Sequence, residues 1–92
     1  MKIGSYVDME IEEFVTSVKT MPVEEQTDLF KQLDALYRNT AGKKDAVKLY
    51  VHEGEDKERV LNQLYIALQR IEDRISVIRE LQQGDTQAGP KN

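Results

Sequence analysis

The only histidine of the chain, His52, opens the run "HEGED", where a lone imidazole beside carboxylates raises the question of metal or general-base chemistry. A zinc-protease helix needs a second histidine four residues on, and a calcium loop needs oxygen ligands at alternating positions; neither pattern is present. The sequence has no cysteine, which leaves one soft ligand, so no metal and no cofactor are expected. A nucleophile–base pair would have to join His52 to Ser5, Ser17 or Ser76, and no spacing supports any of these. The acidic groups Glu12/Glu13 and Glu24/Glu25/Asp28 could suggest paired-acid catalysis, which requires two carboxyls facing across a cleft in contrasting environments. Each group falls instead on one exposed helical face or in a first turn, where the helix dipole favours negative charge. No catalytic residue is assigned, and the chain reads as a non-enzyme.

The stretch "NTAGKKDAVK" carries a more specific suggestion. Gly42 followed by Lys43 and Lys44, at an expected helix start, would combine free backbone N–H groups with positive charge, a setting that anions favour. It is not a phosphate-binding P-loop, because the first glycine of that motif is missing and Asp45 stands where the hydroxyl should be. Arg38, Lys43, Lys44, Lys48 and Tyr50 form a candidate site for a phosphate or nucleotide, with Tyr37 near enough to stack. The usual meaning of such a short charge run is a solvated basic loop.

Helical spacing dominates the elements that would hold these residues. Asp8 can cap a first helix over about residues 8–20, whose stripe is Ile11, Phe14, Val15 and Val18. Pro22 opens a second helix over about 22–39, burying Leu29, Phe30, Leu33, Leu36 and Tyr37, with Gly42 as its stop. Residues 43–53 read both as an alternating strand and as a short helix; no partner strand is convincing, so a short helix is expected, with an extended arm as the alternative. A last helix should run from about 56 to 83 and end at Gly84. Residues 1–84 then form one domain, and 85–92, without an apolar anchor, form a disordered tail. The expected fold is all-α: a small bundle of three to four helices with a long heptad-patterned C-terminal helix.

That last helix sets Leu61, Leu64, Leu68, Ile71, Ile75 and Ile78 at alternating spacings of three and four, a heptad seam. In its first half Val60, Tyr65 and Ala67 widen the apolar arc, which calls for contacts from more than one side. In its second half Glu72, Arg74 and Arg79 border a narrower strip, which reads as an interhelical edge. Two arrangements satisfy this pattern. Either the first two helices fold along the whole seam in a compact monomer, or the second half projects and pairs with another chain. The second is favoured, because small cores often gain stability by oligomerising. Leu68, Ile71, Ile75, Ile78 and Leu81 are then the expected interface.

Composition agrees with an interaction role. The formal charge of −4 makes nucleic-acid binding an unfavoured function. Acids concentrate in residues 8–34 and bases in 38–52, so opposite patches could attract across subunits. The N-terminus does not resemble a secretory signal, and no apolar window is long enough to span a membrane, so a cytoplasmic chain is expected. The sequence therefore points to a helical protein–protein interaction module, an adaptor, regulator or inhibitor. It would form a homo-oligomer, most simply a dimer, or bind another protein. The alternative is a helical oligomer that sequesters a small anionic ligand at residues 38–48.

Overall fold

A computed structural model describes the backbone of residues 3–87 and the side chains of residues 3–83. Four helices follow one another: α1 (Ile3–Asp8), α2 (Ile11–Lys19), α3 (Val23–Tyr50) and α4 (Glu55–Gln87), with no strand among the described residues. The small all-α bundle with a long C-terminal helix is thus present, but its parts are distributed differently from the expected ones.

Gly42 does not stop the second helix. α3 runs through it as one element of 28 residues, so that 43–50 continue α3 and neither a separate helix nor an extended arm is formed. The reason is phase: Thr40, Lys44 and Val47 keep facing α4 at spacings of four and three, and open space surrounds Gly42. Helix continuity costs only about 1 kcal/mol at a glycine. The true break is at Val51, which leaves α3 in an extended conformation, and at Gly54, whose φ of 155° lies where side chains are strained. From there α4 turns back antiparallel to α3. Its backbone stays helical past Gly84 to Gln87, and residues 88–92 of the expected tail lie outside the described residues.

The N-terminus also differs. Asp8 closes α1 instead of capping a helix, and Glu10 is the N-cap of α2, without a side-chain cap bond. Ile3, Tyr6 and Val7 form a short apolar stripe that packs on the core, and the Tyr6 ring meets Phe14 edge-on at 6.2 Å. A three-residue turn then joins α2 to α3. Buried Gln26 fastens it by donating to the Val18 carbonyl (2.8 Å) and, more weakly, to that of Met21 (3.4 Å).

These connections decide where the core can lie. The short turn at 20–22 holds α2 beside the N-terminal half of α3, and the hairpin at 51–54 brings the C-terminal half of α4 to the same place. Phe14 and Val18 of α2, Leu29 and Leu33 of α3, and Ile71, Ile75 and Ile78 of α4 make one core there. Beyond it α3 and α4 continue as a two-helix arm. The radius of gyration, 16.0 Å, and the extents of 53 × 28 × 18 Å describe an elongated molecule; a compact chain of this length would have a radius near 12 Å. No helix among the described residues is long and apolar enough to cross a membrane.

Candidate functional site

The five residues expected at a subunit interface are placed inside the chain. Leu68, Ile71, Ile75 and Ile78 are buried, and Leu81 packs partly buried against the core. The second half of α4 faces the chain's own helices, and the half left with a single neighbour is the first. The bordering charge that suggested an open edge, Arg74, is itself only 5% exposed. Its guanidinium donates to the carbonyls of Tyr6 (3.1 Å), Met9 and Arg70, and it lies over the Phe14 ring at 5.7 Å. A cation at the end of α1 satisfies carbonyls that the helix cannot pair internally and favours its negative dipole end. Burial, and then the neighbouring Arg70, lowers the Arg74 pKa from the ordinary arginine value.

Of the residues of the expected anion site, only Lys44 and Lys48 are brought together. Because α3 passes unbroken through Gly42, no helix start offers free N–H groups there. Arg38 is paired with Asp34 at 3.0 Å on an exposed flank. Lys44 and Lys48 flank the Tyr65 ring of α4, at 5.6 and 5.7 Å from its centroid. By helical phase Lys43 and Tyr50 lie on the other side of α3. Hydrogen bonding from the Lys48 ammonium lowers the Tyr65 phenol below the ordinary tyrosine pKa, and the same interaction raises Lys48. His52 is exposed in the turn of the hairpin. Among the described residues no group of three or more His, Cys, Asp or Glu side chains is arranged to hold a metal ion. Glu12 and Glu13 border one shallow surface depression, and Glu25 and Asp28 another; neither sets two carboxyls across a cleft.

The arm offers a different kind of surface. Leu49, Tyr50, Val51, Val60, Tyr65 and Ile66 are six of the eight large hydrophobic side chains exposed among the described residues, so unburied apolar area is concentrated at this end. One part of it is ordered by the helix repeat. Arg74 meets α1, and Ala67 and Val60 precede it by seven and fourteen residues on the same flank of α4. The corresponding side of α3 is marked by Leu29 and Gln32, which line a depression with Tyr6 of α1. It continues by helical phase through Leu36, Lys43, Val47 and Tyr50. The layer that α1 and α2 place over one end of the hairpin is therefore missing over the other. Val60 is 38% exposed and Tyr50 81% exposed on that uncovered face, with Val47 and Ala67 half-buried.

Sequence reasoning registered the signal for this face in Val60 and Ala67 of the widened apolar arc, which called for contacts from more than one side without saying which side the chain leaves open. It missed Arg74 and also Lys57, which is buried and donates to the Lys48 carbonyl, as structural cations, since a basic residue flanking a seam looks the same whether it faces water or a helix end. Compared with models of protein families, with curated proteins and with solved structures, the chain finds no match.

Proposed function

We propose that this protein is a non-catalytic helical interaction module, an adaptor, regulator or inhibitor, and that the α1-side face of its two-helix arm is where another protein chain docks. One observation carries the reading: the flank of α4 that α1 covers at Arg74 continues uncovered through Ala67 and Val60, with Val47 and Tyr50 beside it on α3. A helix with apolar residues on two flanks is built to be contacted from both. Here the chain covers only the seam that faces α3, and a helix or helix pair laid along the α1-side flank would complete a bundle. Apolar anchors ringed by polar residues are the usual form of such sites.

A photoreactive amino acid placed at Val60, with the same group at Asn62 on the opposite flank as control, tests this in the full chain. Covalent adducts with a protein, either a second copy or another species, should form from position 60 well above the level from position 62. Equal yields from the two positions would remove the reading.

A further inference from the structure

The uncovered flank of α4 has its own order. Asp56, Val60, Gln63, Ala67 and Arg70 follow at spacings of four, three, four and three, a second heptad seam beside the one that faces α3. At the closed end the same line continues as Arg74, Val77 and Leu81, all of which face the chain's own helices. On the arm it faces nothing: Asp56, Gln63 and Arg70 are exposed, and so is Val60. Read from either end, this seam is complementary to itself. An acid and a base stand equally far from Gln63, with an aliphatic residue inside each.

Resting on the interaction reading above, we propose that the occupant of this face is a second copy of the chain, docked antiparallel about a two-fold axis at Gln63. In that arrangement Asp56 of each protomer meets Arg70 of the other, Val60 meets Ala67, and the two glutamines meet at the axis. A two-fold interface requires such self-complementarity. A parallel pairing sets acid on acid and base on base, which charge complementarity excludes. The two arms then form four helices, each arm providing the layer that α1 and α2 provide at the closed ends.

Size makes this dimer weak. The stretch from Asp56 to Arg70 is about 21 Å long and two helices are about 20 Å wide. The face of roughly 400 Å² falls short of the ~800 Å² per partner of a standard interface. Faces of this size belong to weak, transient contacts.

Sedimentation equilibrium from about 10 μM to about 1 mM tests the proposal, with circular dichroism melts to confirm that each variant is folded. Asp56→Arg and Arg70→Asp should each weaken the dimer by about tenfold or more, by setting like charges together. The double swap in one chain should restore it, which only an antiparallel self-pairing does. The ion pair that Asp56 makes with Arg59 inside its own helix is exposed, so its loss changes the fold little. A native chain that stays monomeric to about 1 mM, or a dimer indifferent to the single swaps, or one that the double swap leaves broken, would overturn the proposal. Adducts from position 60 with other proteins but not with itself would then leave the interaction reading standing; no adducts at all would end both.

Discussion

The closed end of the molecule and its arm are made from the same two helices, α3 and α4, and from one continuous seam between them, yet only one end is sealed. At the closed end α1 and α2 add a third layer, and Phe14, Val18, Leu33 and Ile78 are wholly buried. In the arm Leu61 and Leu64 of the same seam remain half-buried, and the flanks show Val60 and Tyr65. Each end is nevertheless locked by a cation of α4 reaching the last carbonyls of another helix. Arg74 does so for α1, and Lys57 does so for α3, donating to the Lys48 carbonyl at 3.2 Å and pairing with Glu53. The difference lies in what surrounds each lock. A periodic helix can present the same apolar stripe along its whole length, and chain connectivity determines which part the protein itself can cover.

Truncation at the two ends should therefore differ most. Ile78→Ala leaves a cavity in a filled core and should cost about 2–5 kcal/mol, a large share of the stability of a domain this small. Val60→Ala removes atoms already partly in water and should cost below about 1 kcal/mol in the monomer. Chemical denaturation of the two variants at low concentration measures the contrast. Equal losses would mean that the arm is sealed as tightly as the closed end.

The two locks separate next. Arg74→Met keeps an apolar stem but strands the Tyr6 and Met9 carbonyls, with an expected loss of about 1–3 kcal/mol and faster amide exchange in α1. Lys57→Met keeps the buried stem and removes one bond to the Lys48 carbonyl and one ion pair whose Glu53 side is exposed, worth about 0.5–1.5 kcal/mol. The reverse order would show that the hairpin tip, and not the α1–α2 junction, holds the molecule together.

Much of this architecture was legible in the sequence, and the inversion of the two halves shows where legibility ends. The stripe of Phe14 and Val18, the heptad of α4 and the break at Pro22 are local signals, and each stands where spacing put it. The core needed more: periodicity says that an arc is apolar, but only the short turn at 20–22 and the antiparallel hairpin say which end of α4 receives α2. Arg74 misled because residue type does not reveal whether a cation borders water or a helix terminus. The basic residues 38–48 misled because Gly42 was given a role that its surroundings do not require. With the helix continuous, Lys44 and Lys48 meet at Tyr65 while Arg38, Lys43 and Tyr50 are turned to other sides of α3.

Gly42 provides the smallest and most local test of the comparison. It lies in the interior of α3, near the start of the arm, with nothing beyond its chain neighbours and its own helix backbone within 4 Å of where a Cβ would project, and its φ is not positive. Alanine at this position meets no obstacle. It also narrows the conformations of the unfolded chain, so Gly42→Ala should stabilise the protein by about 0.4–1 kcal/mol. The same change at Gly54 should act in the opposite direction, because a φ of 155° strains any side chain although space is open there too. Thermal melts of the two variants thus read backbone conformation alone, free of packing. A destabilising Gly42→Ala would mean that α3 bends or breaks at the glycine, and residues 43–50 would then be a separate element, free to move relative to the closed end.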